Sequence, residues 1–155
     1  MLPSTIDRVP HHTAEHINEQ IRRQMEENVK RVAAGGPKAI ERRLEELERE
    51  WDIERTLEAN ASTLVTVGAG LALLADRRFA LIPLVVGGFL LQHAVQGWCP
   101  PLPVFRRLGV RTQAEIDAER YALKAIRGDF RGLPRENPRA SNTAHVAEAV
   151  QAANA

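Results

Sequence analysis

Residues 59–98 read ANASTLVTVGAGLALLADRRFALIPLVVGGFLLQHAVQGW, and this stretch decides the fold. It contains 17 uncharged residues, then Asp76-Arg77-Arg78, then 20 residues in which His93 is the one ionisable side chain. As helices the two arms would be about 25 Å and about 30 Å long, and a bilayer core needs roughly 20 apolar residues. The pattern predicts a transmembrane helical hairpin over residues 59–98, with the charged triplet as its water-exposed turn.

Charge is distributed unevenly along the 155 residues. The chain has 21 Lys and Arg, 20 Asp and Glu and a net charge of +1, yet only three of these residues fall within 59–98. A helix that is apolar on every face must be enclosed by lipid or by protein. The alternative is a buried hairpin in a water-soluble fold, but the flanks have few large apolar residues with which to enclose it. The near-neutral total gives no reason to expect a nucleic-acid partner.

Small residues recur midway along both predicted spans. Gly68 and Ala72 form a small-x-x-x-small pair, and glycine also occupies positions 70, 87 and 88 (Gly70, Gly87 and Gly88). Small side chains let helices approach closely in lipid, although glycine is common in membrane helices in general. We predict that these positions pack closely, within the hairpin or between protomers.

The basic residues predict the orientation of the hairpin. Two arginines lie in the turn, whereas seven flank the spans: Arg42, Arg43, Arg49, Arg55, Arg106, Arg107 and Arg111. Because Lys and Arg are enriched on the cytoplasmic side, both termini are predicted to be cytoplasmic, in a bacterial inner membrane. Trp98 is predicted to lie at the inner membrane interface, where its amphipathic ring is favoured.

A flexible arm (residues 1–12) and charged amphipathic helices (residues 13–58) are predicted before the hairpin. Thr13 is the expected N-cap of the first helix, and Pro37 suits the first position of the second. The charged residues at 41–50 are interpreted as a solvated face. The narrow apolar stripes of these helices are typical of docking on a partner helix or a membrane surface. The predicted partner-binding stripe consists of Ile17, Ile21, Met25, Val29, Ile40, Leu44, Leu47 and Trp51.

After the hairpin, a Pro-rich turn and a cytoplasmic helix are predicted over residues 99–130. The three prolines within 100–103 are incompatible with regular helix. Thr112 and Glu115 have the spacing of a capping box, which predicts the start of the helix. Residues 131–155 are rich in Pro, Asn and Ser and are predicted to form a largely disordered tail.

Four short motifs carry a resemblance to a known family. They are WDIERTLEAN (51–60), GWCP (97–100), RRLGVRT (106–112) and ERYALK (119–124). Over about residues 51–130 the chain resembles the YgaP-like transmembrane domain family of small bacterial inner-membrane proteins. The resemblance implies a membrane hairpin with cytoplasmic ends and dimer formation. Some members join this hairpin to a rhodanese domain that carries sulfane sulfur on a cysteine, but this sequence has neither that domain nor a second cysteine.

Cys99 is the foremost candidate for chemistry. Arg106 and Arg107 would favour its thiolate form, whereas the end of the preceding helix would disfavour an anion. Sulfur relay and redox sensing are one interpretation, and a small apolar residue packed in a turn is the other. His93 is a candidate ligand contact because ionisable groups in spans are often functional, with a helix–helix hydrogen bond as the alternative.

The sequence predicts a function without a catalytic site. His11, His12 and His16 lack further ligands to complete a metal set, so neither a metal nor another cofactor is predicted. The predicted fold class is an all-α membrane protein, a two-span transmembrane hairpin flanked by amphipathic cytoplasmic helices. The predicted role is a non-enzymatic assembly, scaffold or accessory subunit in the lipid bilayer, as a homodimer or part of a larger complex. The alternative is a sulfur-relay or redox-sensing protein that uses Cys99.

Overall fold

The computed structural model describes residue 4 and residues 6–131. Within these residues the fold is entirely helical, as predicted, and contains no strand. The helices are α1 (Arg8–His11), α2 (Glu15–Ala34), α3 (Pro37–Arg49), α4 (Ile53–Leu74), α5 (Leu81–Gln96), α6 (Leu102–Arg107) and α7 (Gln113–Arg127). The predicted disordered tail lies outside the described residues, apart from Arg131.

Helices α4 and α5 form the predicted hairpin. They are joined by a 3₁₀ turn, Arg77–Ala80, and the Asp76 carboxylate accepts a hydrogen bond of 2.8 Å from the backbone N–H of Arg78 at its start. Two helical stretches, Pro37–Leu74 (which ends with α4) and Arg77–Gln96, are long and apolar enough to span a membrane by length and composition. Helix α4 begins at Ile53, so its first turn and a half is polar and precedes the apolar segment.

The apolar side chains of the hairpin face outward. Leu73, Leu74 and Leu84 are 87%, 90% and 71% exposed. Burial of such side chains is normally worth about 1.5–3 kcal/mol each, so a helix pair that exposes them throughout is unsuited to water. The described residues do not enclose the hairpin, which argues against the alternative of a buried hairpin in a water-soluble fold.

The glycines of the hairpin have two different environments. A Cβ on Gly68 would lie 2.8 Å from Ile82 Cβ and 2.9 Å from Pro83 Cδ, so α4 and α5 meet closely at this point. By contrast, a Cβ would meet nothing within 4 Å among the described residues at three other positions (Gly70, Gly87 and Gly88). Close packing within the hairpin is therefore present at Gly68, whereas the other three glycines lie on open faces.

Helices α2, α3 and α7 pack together into what we call the polar bundle. Its core consists of apolar residues from all three helices: Ile40, Leu44, Leu47, Ile116 and Leu123, with Val29 and Val32 against them. Most of the predicted partner-binding stripe is therefore occupied within the chain. Ile17 and Ile21 are buried as well, while Met25 is half-buried and Trp51 is 49% exposed.

A second core, the junction core, connects the hairpin to the polar bundle. It consists of Val9, Ile53, Leu57, Cys99 and Leu102, one or two residues from each segment that meets there. Val9 belongs to α1, so the interpretation of residues 1–12 as a flexible arm is wrong at Arg8–His11. Burial of Val9, which is 2% exposed, favours this short helix although its local sequence does not predict it.

Two helix starts differ from the sequence prediction. Ala14, not Thr13, precedes α2, and the Thr13 hydroxyl instead donates a 2.8 Å hydrogen bond to the Val9 carbonyl. Helix α6 begins within the proline cluster, because Pro103 stands in the first turn, where a helix has no backbone bond for proline to remove. The capping box of α7 is confirmed, with Thr112 and Glu115 each accepting a hydrogen bond from the other's backbone N–H.

Candidate functional site

A partly buried polar cluster lies where the open end of the hairpin meets α1. The His93 Nε2 atom is 2.8 Å from Glu54 Oε2, which links the last turn of α5 to the first turn of α4. The other carboxylate oxygen, Oε1, accepts a 2.9 Å hydrogen bond from Arg8 Nη2. Arg8 Nη1 donates a second 2.9 Å bond to the Ala94 carbonyl. The carboxylate of Glu54 therefore holds together two helices of the hairpin and the short N-terminal helix.

The close approach of α1 to the end of α5 depends on a glycine. Gly97 has φ +83°, a left-handed conformation that L side chains rarely adopt. A Cβ at this position would also lie 2.7 Å from the Arg8 carbonyl oxygen. Both constraints favour glycine, and they bring the Arg8 backbone directly against the end of the second helix.

Cys99 lies next to the same imidazole. Its side chain is 5% exposed, and His93 is 3% exposed and interacts electrostatically with the thiol. Because a carboxylate only accepts hydrogen bonds, His93 Nε2 carries a proton that it donates to Glu54. Nδ1 makes no well-formed hydrogen bond within the part of the chain that the structure describes.

The order thiol, imidazole, carboxylate is an arrangement that can activate a nucleophile. In such an arrangement the carboxylate fixes the orientation of the imidazole, and a protonated imidazole can stabilise a thiolate beside it. Sequence reasoning singled out Cys99 and His93 separately but missed Glu54 and Arg8. The sequence does contain a signal for the contact between Glu54 and His93. Glu54 is near the start of the first helix of the hairpin and His93 is near the end of the second, so an antiparallel pair places both at the same, open end.

Arg106 is buried and does not provide free positive charge for Cys99. Its guanidinium makes a bidentate pair with Glu115, with both N···O distances 2.7 Å. Its remaining N–H groups donate to the Thr13 hydroxyl, the Asn18 side chain and the Val110 carbonyl, at 3.0–3.2 Å. All five donors are satisfied, and the residue connects α6 to α2 and α7. The prediction that Arg106 favours the Cys99 thiolate is therefore not supported by its contacts.

A second ion-pair network lies inside the polar bundle. Glu119 is 0% exposed and accepts hydrogen bonds from Arg43 Nε at 2.8 Å and from Arg111 Nη1 at 2.5 Å. Arg111 also makes a bidentate pair with Glu50, with both distances 2.7 Å. The interpretation of residues 41–50 as a solvated face is thus wrong for Arg43 and Glu50, which point into this network.

The two bundle carboxylates have lowered pKa values. Burial alone would raise the pKa of Glu119, but hydrogen bonds from Arg43 and Arg111 outweigh it, so the pKa lies below the ordinary value of 4.5. Burial also opposes the shift at Glu115, where the Arg106 pair and the Thr112 backbone N–H outweigh it and lower the pKa. Both groups are therefore carboxylates near neutral pH.

The remaining predicted site residues are dispersed. Trp98 is partly exposed just after Gly97, and Trp51 lies at the base of the hairpin with the Arg55 guanidinium 4.4 Å above its ring. The rings of His11 and His12 are 5.8 Å apart, centroid to centroid. No group of three His, Cys, Asp or Glu side chains suited to a metal ion occurs among residues 4 and 6–131.

Comparisons with protein-family models, curated proteins and solved structures gave no match to this chain. The resemblance to the YgaP-like transmembrane family therefore stays a prediction from the four motifs. The functional argument rests on the geometry of the site.

Proposed function

We propose that this protein is an integral membrane protein that acts as a non-enzymatic assembly or accessory subunit. The observation that carries the proposal is the outward-facing apolar surface of the hairpin, which runs along most of α4 and α5. Lipid is the solvent in which such a surface is stable, because no water needs to be ordered around it. The polar bundle, by contrast, has the charged exterior of a protein in water.

The geometry also supports an assembly role. Gly70, Gly87 and Gly88 lie on open faces of the hairpin, where a second helix could approach closely. On the polar bundle, an open groove of about 620 Å³ lies between α2 and α7, and half-buried Met25 is the member of the predicted partner-binding stripe that remains accessible in it. We propose that copies of this chain associate through the hairpin, and that the groove is available to a further partner.

The proposed orientation places both flanks in the cytoplasm at a bacterial inner membrane. It rests on the arginine distribution, with seven beside the spans and two in the turn. Three of the seven, Arg43, Arg106 and Arg111, are engaged in ion pairs within the folded protein. The rule acts during insertion, before those pairs form, so they still count toward orientation.

Cysteine labelling tests both the insertion and the orientation. In a Cys99→Ser background, single cysteines are placed in the turn (Arg77→Cys) and on the exposed face of the polar bundle (Gln24→Cys). A membrane-impermeant maleimide added to intact spheroplasts should label the turn and leave the bundle unlabelled. Detergent lysis should make both reactive. Equal labelling in intact cells, or release of the protein by alkaline carbonate, would contradict the proposal.

The oligomer is tested separately in detergent. Light scattering after size-exclusion chromatography should give a dimer or larger species, and Gly87→Leu should shift it toward the monomer. Leu84→Ile, on an equally exposed position, serves as the matched control. A wild-type monomer without co-purifying protein would contradict the assembly role.

A second candidate function is sulfur relay or redox sensing by Cys99. The observation in its favour is the imidazole of His93 beside the thiol, because a protonated imidazole would stabilise a thiolate there. A persulfide on Cys99, formed from a sulfane-sulfur donor and removed by a reductant, is the expected product. A thiol that stays unmodified by both sulfane-sulfur donors and peroxide would exclude this function.

A further inference from the structure

The short helix α6 has two faces of different character. Its inner face carries Leu102 and Arg106, which are 0% and 1% exposed. Its outer face carries Val104, Arg107 and Leu108, which lie side by side because residues three and four apart share one face of a helix. Val104 and Leu108 are 55% and 74% exposed, and Arg107 is exposed between them. Apolar side chains beside a basic one are typical of helices that lie at a membrane surface.

The contacts of α6 fix its position along the hairpin. Leu102 packs in the junction core with Ile53 and Leu57, which belong to the first turns of α4. The chain after α6 returns to the same place, since the Ile53 backbone N–H donates a 2.8 Å hydrogen bond to the Arg111 carbonyl. At roughly 1.5 Å per residue, Leu57 and Ile53 precede the start of the apolar arm at Ala59 by about 3 Å and about 9 Å. Helix α6 is therefore held just outside the apolar part of the hairpin.

That interval matches one layer of the bilayer. The headgroup layer of each leaflet is roughly 5–8 Å thick and lies directly outside the hydrocarbon core. We propose that the outer face of α6 lies in this layer, with Val104 and Leu108 against the upper acyl chains and Arg107 at the lipid phosphates. The placement rests on the insertion of the hairpin put forward as the proposed function, and it adds the lipid headgroups as the partner of α6.

Continuity with the hairpin favours the bilayer over a protein partner. Pro100 and Pro101, which lead into α6, line an apolar pocket together with Leu64 of α4 and Phe89 of α5. The chain therefore stays against the hairpin before α6 begins, and the exposed apolar face of α6 lies beside that of the hairpin. Arg107 has no ion-pair partner among residues 4 and 6–131, so its guanidinium is available to a phosphate, which arginine binds through several N–H groups.

Spin labels measure the depth of single positions in lipid nanodiscs. In the Cys99→Ser background, the full chain receives one labelled cysteine at a time: Val104→Cys or Leu108→Cys on α6, Val67→Cys in the hairpin and Gln24→Cys on the polar bundle. A label in lipid collides more with oxygen than with a neutral, water-soluble nickel chelate, and a label in water shows the reverse. Both α6 labels should be less accessible to nickel than the label at Gln24 and more accessible than the label at Val67.

The two reference positions distinguish failure of this placement from failure of the proposed function. A Val67 label that is open to nickel would overturn the insertion of the hairpin itself. A shielded Val67 label, together with α6 labels as open to nickel as the one at Gln24, would overturn the placement of α6 alone. Cys99→Ala provides a second background in which the same comparison holds if the serine variant loses helical content.

The contact of Arg107 with phosphate is tested in anionic lipid. In phosphatidylglycerol nanodiscs, Arg107→Glu should raise the nickel accessibility of the Val104 label, because the headgroups repel the introduced carboxylate. Arg42→Glu, at an exposed position on α3, is the matched control and should leave that label unchanged. A label that responds to neither substitution, or equally to both, would overturn the role of Arg107.

Discussion

The hairpin and the polar bundle are built from helices of similar length that satisfy opposite requirements. The hairpin exposes leucine and valine and buries little beyond the contact at Gly68. The polar bundle exposes charged residues and buries an apolar core together with two carboxylate–arginine networks. The two regions meet at the junction core, where the exposed apolar surface of the hairpin gives way to the charged exterior of the rest of the fold.

The comparison shows what fixes each region in one arrangement. Helices in lipid are positioned by close backbone approach, because lipid tails are as apolar as the side chains themselves. In the polar bundle, buried ion pairs with directional hydrogen bonds accompany the apolar core. We infer that the Arg106–Glu115 and Arg43–Glu119 pairs act mainly in specificity, a role attested for buried polar groups elsewhere.

Replacing Glu119 should have the largest effect of the substitutions considered, because it should destabilise the polar bundle and leave the hairpin unchanged. Glu119→Leu leaves Arg43 and Arg111 without their shared buried carboxylate, and loss of one partner of a buried pair typically costs about 3–5 kcal/mol. Hydrogen exchange should show α7 amides losing protection while α5 amides keep theirs. Glu45→Leu, at an exposed position on α3, is the matched control. Equal protection of α7 in the two variants would contradict the structural role of the network.

Lowering the pH should reveal a difference in stability between the two regions without any mutation. The pKa values of Glu115 and Glu119 are lowered in the folded state, so the unfolded chain binds more protons than the folded chain as the pH falls. Their stabilisation is fully present above the ordinary pKa of 4.5 and is lost as the pH falls below it. Fluorescence of Trp51 should report loosening of the bundle on acidification, and Glu119→Gln should make that response shallower. An acid response identical to the wild type's would contradict the assignment to Glu119.

A substitution at the point where α4 and α5 approach each other most closely should lower the stability of these two helices and leave that of the polar bundle unchanged. Gly68→Leu places a side chain where even a Cβ would lie 2.8 Å from Ile82, and overpacking of this kind costs about 1–3 kcal/mol. Gly70→Leu, on an open face, is the control. Protease or thermal stability in detergent should fall for the first variant alone. A similar loss of stability in both variants would mean that replacing any glycine of α4 is destabilising, whether or not the position contacts α5.

The smallest expected effect concerns the start of α7. Thr112→Ala removes the hydroxyl that accepts from the Glu115 backbone N–H, and loss of an N-cap typically costs about 1 kcal/mol. Thr112→Ser keeps the hydroxyl and should behave like the wild type. Chemical denaturation of the bundle would show the difference as a lowered midpoint for the alanine variant. Indistinguishable midpoints for the two variants would mean that the Arg106 pair alone holds this helix start.

Local signals made part of this structure predictable from the sequence. The hairpin follows from the length of two uncharged runs, and the start of α7 follows from the spacing of Thr112 and Glu115. Both depend on residues close together in the chain. The short helix at Arg8–His11 was not predictable in this way, because Val9 is buried by segments distant in sequence.

The candidate site was only partly predictable for the same reason. Cys99 and His93 are conspicuous as single residues, but their relation to Glu54 depends on how the two helices pair. In the bundle, Arg43 belongs to a dense charge run whose members look alike in the sequence. Only packing against α7, with Glu119 buried opposite, distinguishes it from its exposed neighbours.

The contact of Arg8 with the end of α5 has a consequence for how the chain is made. Arg8 bonds to a carbonyl 86 residues later, so α1 leaves the ribosome long before the surface on which it docks exists. In the membrane arrangement proposed above, the N-terminal segment would stay on one side of the bilayer until the second span is in place. Its docking would then act as a late check on insertion, since a hairpin that inserted with only one arm would leave Arg8 and Gly97 on opposite faces of the membrane.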